Sequence, residues 1–482
     1  MSDAFEKFAP EESAEDYLER EGTPKPNGED ALVLDPADPL PSARRFLKDN
    51  FTRLETPTLH HHKGVFYAWN GTAYYELDDP TLRGRIWTFL EQAKRKVEDR
   101  LEPFKPTVPK VTNVLDALRA VANIPASIEP PAWLDDAVGK PAAKELVACR
   151  NGLLHLPSGE LLPHDPSFFC LNAVAFDYDP DAGDPLGWLN FLDSIWEDDP
   201  ECQSTLQEFF GQALAGDTSQ QKIILSVGPI RSGKGTIGRV LRAMLGEPNV
   251  CAPTLSSLTT NFGVQPLIGK QLAIVSDARL GYKSNLESVA ERLLSISGED
   301  ALTVDRKYRE PWTGQLPTQF LILTNELPRL IDHSGALVSR FILLLFTESF
   351  YGREDLDLFR RLLGELPAIL NWSIEGWVRL QERGHYIQPS SGREAIRELE
   401  DLASPVKAFV RDRCAVEPSL SVESGILFNA WTHWCETNNH KNGTAAVFGK
   451  NLRAAVRRLK TTQTTIYGKR RRVFEGVDLD NT

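Results

Sequence analysis

The sequence predicts an α/β fold: a phosphate-loop core on a parallel sheet, an α+β domain before it and a winged helix after it. Three observations carry this. Four apolar runs lack polar alternation: KIILSV (222–227), QLAIVS (271–276), QFLILT (319–324) and RFILLLF (340–346). Such runs suit strands buried on both faces, as in a parallel sheet. A glycine-rich loop, GPIRSGKGT, follows the first of them directly. A basic C-terminus combines amphipathic helices with a hairpin pattern.

A chain of 482 residues has room for roughly three domains. With 41% hydrophobic and 25% charged residues it has the balance of an ordinary globular protein. The longest clean apolar run, Phe341 to Phe346, falls far short of the roughly 20 residues of a spanning helix, so no membrane partner is expected. The acidic start, MSDAFEKFAPEESAEDY, has no apolar segment of a secretory signal. Six cysteines without a C-x-x-C pair exclude a disulfide scaffold and a zinc ribbon, and read as free thiols of a reducing cytoplasm.

The net charge of -13 hides an asymmetry. Residues 1–40 carry 12 acids and 3 bases, whereas residues 441–474 carry 10 Lys and Arg and no acid. An acidic head and a basic tail point to nucleic acid more than the total argues against it.

Residues 1–45, rich in Glu, Asp and Pro, read as a disordered acidic tail. Residues 46–205 read as an α+β domain. There Asn70-Gly71 between two aromatic runs predicts a hairpin with a type I′ turn. TLRGRIWTFLEQAKRKVEDRL (81–101) reads as one helical run, and residues 145–166 as short strands joined at Asn-Gly and Ser-Gly turns. His60-His61-His62 has metal-like spacing but no nearby partner ligands, and reads as a polar strand edge. Asp177-Tyr178-Asp179 reads as part of a structural loop rather than a metal-binding pair. Residues 206–350 form the core, 351–400 a helical lid or linker, and 401–482 the C-terminal domain. Ser404-Pro405 there reads as a helix cap followed by proline at the first helical position.

The loop is G-x-x-x-x-G-K: Gly228, Pro229, Ile230, Arg231, Ser232, Gly233 and Lys234, then Gly235 and Thr236. Its glycines let backbone N–H groups wrap a phosphate, the following helix presents its positive end, and the lysine reaches the outer phosphates. Gly235 stands where a hydroxyl usually follows the lysine, which leaves Thr236 to serve metal or phosphate. Asp277, after the second apolar run, is the candidate to hold magnesium or orient water. It is a single acid, followed by Ala278 and Arg279, where the broad phosphate-loop class commonly has two. Asn325 ends the third run, where it could contact a γ-phosphate or attacking water. Arg340 enters the fourth as either a structural cap or a finger reaching a neighbouring subunit's nucleotide.

The order GPIRSGKGT, IVSDARL, SGEDALTVDRKYREPW, FLILTNELPRL, SGALVSRF resembles the superfamily 3 helicases, specifically the phage and plasmid primase-helicase family related to the poxvirus-type enzymes. The resemblance covers about residues 60–475. It implies an AAA+-like ATPase using ATP and Mg2+, assembled as a ring, usually a hexamer, on single-stranded DNA in a bacterial host's cytoplasm. Carried over, Lys234 and Thr236 are phosphate-loop residues, Asp277 the second ATPase motif, Asn325 the sensor and Arg340 the arginine finger. VDRKYREPW becomes a hairpin that tracks DNA, with Arg306, Lys307, Tyr308 and Arg309 supplying charge and a stacking ring. Only some 200 residues precede the loop, so a primase would be expected in another chain, with other replisome proteins as further candidate partners.

In the C-terminal domain, Phe448, Leu452, Ala455, Val456 and Leu459 lie on one helical face. Lys450, Arg453 and Arg457 fall largely off it, free to meet phosphates. TTIYGKRRRVFEG then reads as a wing carrying Arg470, Arg471 and Arg472, against duplex DNA. Two alternatives stay open: an origin-binding factor with a degenerate ATPase, and a nucleotide kinase.

Overall fold

The computed structural model describes residues 32–276, 286–307, 309–328, 330, 332, 335–438, 440–466 and 469–480. The first helix, α1 (Pro39–Asn50), starts where the Asp38 carboxylate accepts the Leu40 N–H. It buries Ala43, Phe46 and Leu47 against α2 (Asp79–Gln92) and α3 (Val108–Val121). Leu34 joins the same core. The folded chain therefore includes residues 32–45, which the composition assigned to a disordered tail.

Three antiparallel strands, β1 (Leu59–His62), β2 (Val65–Trp69) and β3 (Tyr74–Leu77), form the predicted hairpin. The turn differs from the two-residue form. Trp69 pairs with Tyr74 across four loop residues, and the Asn70 side chain accepts the N–H groups of Thr72 and Ala73. The helical run after it stops at Gln92. Its charged end folds back as β4 (Lys94–Val97) and β5 (Arg100–Pro103), with Arg95 2.8 Å from Glu102. The histidines do lie on the edge strand of this sheet, but that edge is not polar. Strand alternation sends His60 and His62 to one face, where both rings meet Phe169, and His61 to the other against Phe66. Burial lowers the His60 pKa to about 4.

The core sheet is wholly parallel. Its strands are β6 (Ile223–Val227), β7 (Val250–Cys251), β8 (Leu272–Val275), β9 (Gln319–Thr324) and β10 (Phe341–Leu345), in spatial order β7-β8-β9-β6-β10. Alternate side chains feed two hydrophobic clusters, Ile224 and Ile274 on one face, Ile223, Leu225 and Ala273 on the other. That two-sided burial is why the apolar runs show no polar alternation.

The first face is covered by α4 (Leu186–Trp196), α5 (Pro200–Ala215), α6 (Lys234–Leu245) and α7 (Leu366–Arg383). Helices α5 and α7 touch through glycines: a Cβ on Gly211 would lie 2.2 Å from the Ser373 carbonyl oxygen. The buried Glu208 of α5 is neutralised by Arg379, 2.8 Å away, and by Arg383. Since α4 and α5 share this cluster with the sheet, they belong to the core by packing. The same cluster also takes in Val147, Leu154 and Phe176 of the preceding domain, so packing runs across the boundary placed at residue 205.

The C-terminal unit packs α8 (Pro405–Arg413), α9 (Ser424–Thr437) and α10 (Ala445–Ala455) with an antiparallel sheet. Its strands are β11 (Ser421–Glu423), β12 (Lys460–Ile466) and β13 (Lys469–Glu475), in order β11-β13-β12. Phe409, Trp431, Trp434, Phe448 and Phe474 form its aromatic core. Pro405 opens α8 as expected, but the Ser404 hydroxyl makes no cap. Helix α10 ends at Ala455, with Val456 already extended, so Leu459 is not on its face.

Phe46 tests the revised N-terminal boundary. Its fully buried ring lies 5.2 Å from Phe89 and 5.8 Å from Phe51. Phe46→Ala should destabilise the N-terminal unit by about 3–5 kcal/mol, read by hydrogen exchange of α1 and α3. A loss below about 1 kcal/mol would return this segment to the tail.

Candidate functional site

The loop departs from β6, which lies between β9 and β10. This is the point where the strand order reverses, and in such sheets ligands sit beyond the carboxyl ends of the strands. Gly228 donates its N–H to the Thr324 carbonyl at 3.3 Å, which ties the loop's first residue to the tip of β9. A Cβ at Gly228 would lie 2.3 Å from the Phe346 carbonyl oxygen, so only glycine fits. Gly233 sits at φ 91° with its missing Cβ against Ile195 of α4.

The segment after β10 braces the outer wall. Ser349 Oγ donates to the Ile230 carbonyl at 2.8 Å, and the Phe350 N–H to that of Arg231 at 2.9 Å. Arg231 lies 3.4 Å from Glu354. No sequence pattern flagged this TESFYGRE segment, because its role lies in backbone contacts to a loop 120 residues earlier.

Helix α6 begins at Lys234 with no side-chain cap, which leaves its first N–H groups directed at the loop's concavity. Lys234 closes that concavity itself. Its ammonium donates to the carbonyls of Gly228 and Pro229, each at 2.7 Å, and to Ser232 Oγ at 2.9 Å. Burial depresses its pKa to about 8. A phosphate would offer this ammonium a charged, stronger acceptor than the three neutral oxygens, so anion entry and lysine release would be one exchange.

Thr236 is half-buried, and its hydroxyl accepts from Arg239 at 3.2 Å. A Cβ added to Gly235 would meet nothing within 4 Å, so the missing hydroxyl there is not a steric necessity. Among the described residues no cluster of three His, Cys, Asp or Glu could hold a metal. Magnesium bound mainly through phosphates needs only one or two protein oxygens, which the Thr236 hydroxyl fits. Asp277 lies outside the described residues. Its strand β8 runs parallel to β9, with Val275 opposite Ile322, so the chain leaves β8 on the loop's edge of the sheet.

Asn325 is exposed and follows Thr324, the residue paired with Val227. It therefore stands beside the loop's origin. Arg340 does not. It precedes β10, whose Phe341 pairs with Ile223, so it sits a strand length away, about 16 Å. Its guanidinium donates to Gln221 Oε1 at 3.0 Å and the Ser297 carbonyl at 2.9 Å.

The expected basic hairpin is present as two strands, Leu302–Arg306 and Arg309–Gly314. Arg306 Nε donates to the Glu310 carbonyl at 2.8 Å. The Lys307 N–H donates to Gln265 Oε1 at 3.2 Å, and Arg309 lies 2.6 Å from Glu76 of β3. Tyr308 lies outside the described residues.

Two family comparisons fall on these two halves. Residues 43–197 match the family "D5 N terminal like", and residues 226–340, the loop and its sheet, match a "Family of unknown function (DUF5906)". Both matches agree with the resemblance to the phage primase-helicase family read from the motifs, and each covers less than half of the chain. Among solved structures, "The A form apo structure of NrS-1 C terminal region-CTR" aligns at 12% identity and TM-score 0.49, covering 91% of this chain and 100% of that one. "The apo structure of NrS-1 C terminal region (305-718)" aligns at 13% identity and TM-score 0.47, covering 92% and 99%.

Asp177 is committed to Arg150 through two 2.9 Å hydrogen bonds, as a structural loop residue would be. All six cysteines are free thiols. At the C-terminus Lys450, Arg453, Arg457, Arg470, Arg471 and Arg472 are exposed. The three arginines of β13 are not equivalent. Arg471 pairs with Glu423 of β11, while Arg470 and Arg472 share the opposite face of β13. No helix of the described residues is long and apolar enough to cross a membrane.

The Lys234 environment gives a pH test. An anion binds the charged ammonium, whose free-state pKa is lowered to about 8. ADP affinity should be highest below pH 7 and fall as pH rises through 8, approaching tenfold per unit. Calorimetry between pH 7 and 9 should show this for the natural protein but not for Lys234→Arg. A flat profile for the natural protein would contradict the buried-lysine account.

Proposed function

We propose that the protein is an ATP-dependent DNA helicase of phage, prophage or plasmid replication. It has an AAA+-like superfamily 3 core, works in the bacterial host's cytoplasm and assembles as a ring, with a hexamer the expected size. The observation that carries this reading is the placement of Lys234 and Arg340 at opposite ends of one parallel sheet. A finger a strand length from its own loop can serve only a neighbour's nucleotide, which makes the catalytic unit an interface.

In this reading Lys234 and the N–H groups of the loop hold the β- and γ-phosphates of ATP. Thr236 and Asp277 hold magnesium, which bridges the phosphates and neutralises developing charge. Asn325 orients the attacking water or senses the γ-phosphate. Arg340 leaves Gln221 and Ser297 to stabilise charge across the interface. The Leu302–Gly314 hairpin grips single-stranded DNA in the ring, and the C-terminal unit acts as a winged helix on duplex, with a primase supplied by another chain.

The test is complementation between two inactive proteins. Lys234→Ala should abolish ATP turnover, and Arg340→Ala should bind ATP but hydrolyse it about 10³–10⁵-fold more slowly. Mixed rings contain some interfaces with an intact loop and an intact finger, so mixing should restore part of the activity. If no mixing ratio restores turnover in assembled rings, Arg340 is a structural clamp and the interface reading fails.

The wing gives a second expectation. Replacing Arg470 and Arg472 with alanine should flatten the slope of log duplex affinity against log salt by about two units, at roughly 0.9 per phosphate. Arg471→Ala should change it less, since Glu423 already neutralises that charge. Equal effects of all three would show that the wing's two faces do not differ towards DNA.

A further inference from the structure

The hairpin assigned to DNA is docked on the N-terminal unit. Arg309 lies 2.6 Å from Glu76 of β3, with both side chains 45% exposed. Beside this pair, Lys63 in the β1–β2 turn lies 5.2 Å from the centre of the Trp312 ring and is held by Glu129. At Gly64, in the same turn, a Cβ would come 3.7 Å from Arg306 Nη2. Tyr67, opposite Glu76 in the sheet, has its hydroxyl pKa pushed up to about 12, chiefly by burial and then by Glu76. Three hairpin side chains therefore face the N-terminal sheet, and the ion pair that joins hairpin to sheet, Arg309–Glu76, uses a cation that a phosphate would also take.

We propose that Glu76 is a positioning residue for DNA binding: its carboxylate holds Arg309 until a phosphate of single-stranded DNA displaces it. This rests on reading the hairpin as the DNA-contacting element. The chemistry is a swap of anions on one guanidinium, carboxylate leaving and phosphate arriving, with no change in protonation. The half-exposed setting matters. An exposed ion pair contributes little stability and is weakened by salt, so it can be released by a ligand at small cost. The cation–π contact of Lys63 with Trp312 keeps the hairpin base seated while its tip changes partner.

The test is a double-mutant cycle on the full chain, with a fluorescent oligothymidylate as probe at low salt. Glu76→Gln keeps the side chain's size and should raise affinity about two- to fivefold, the worth of an exposed pair. Arg309→Ala should lower affinity. In the Arg309→Ala background, Glu76→Gln should have no effect, because the carboxylate acts through that arginine. An equal gain in both backgrounds would mean that Glu76 merely repels DNA, and no gain in either would mean that it does not compete. Both results overturn the proposal while leaving the hairpin reading intact. If Arg309→Ala itself leaves affinity unchanged, the hairpin reading falls, and this inference with it.

Discussion

The position of β6 between two parallel neighbours is the constraint on which the rest depends. Val227 is in register with Thr324 on one side and Leu345 on the other. The chain leaving β6 must turn out between two strand tips already occupied by backbone. Only a residue without a Cβ clears the Phe346 carbonyl there, and Gly228 supplies it. The sheet itself is held by burial on both faces, at about 1.5–3 kcal/mol for each fully buried aliphatic side chain. A loop rooted in such a sheet has little freedom, and that fixes where Lys234 and the α6 N-terminus point.

The same register separates chemistry between the two edges of the sheet. Gly228 and Asn325 gather at the carboxyl edge, while Arg340 stands at the amino edge with Gln221 and Ser297. The hairpin adds a third connection, bonded to Gln265 of the core and to Glu76 of the N-terminal unit. The hairpin thus ties the core to the N-terminal sheet.

Much of this was legible in the sequence because it rests on local pattern. Unbroken apolar runs mark strands covered on both faces, and a glycine-rich loop after one of them marks its own turn. What the sequence concealed depends on contacts between distant segments. The charged end of residues 81–101 has helical composition, yet Arg95 and Glu102 pair across a hairpin. His60 and His62 look polar on paper but lie against Phe169, a residue more than a hundred positions away. Helix α4 and only the first turns of α5 fall within the residues read as the first domain, yet both helices pack beneath the sheet. Nor could composition reveal that Arg471 is neutralised by Glu423 while its two neighbours are not.

In the proposed function the loop, the hairpin and the C-terminal unit belong to one motor. The most direct measurement is ATP hydrolysis by the full chain with and without single-stranded DNA, alongside its assembly state by mass photometry in ATP. A ring motor should show slow basal turnover, marked stimulation by single-stranded DNA and ATP-dependent rings. ATP binding without turnover, or turnover indifferent to DNA by a monomer, would contradict it.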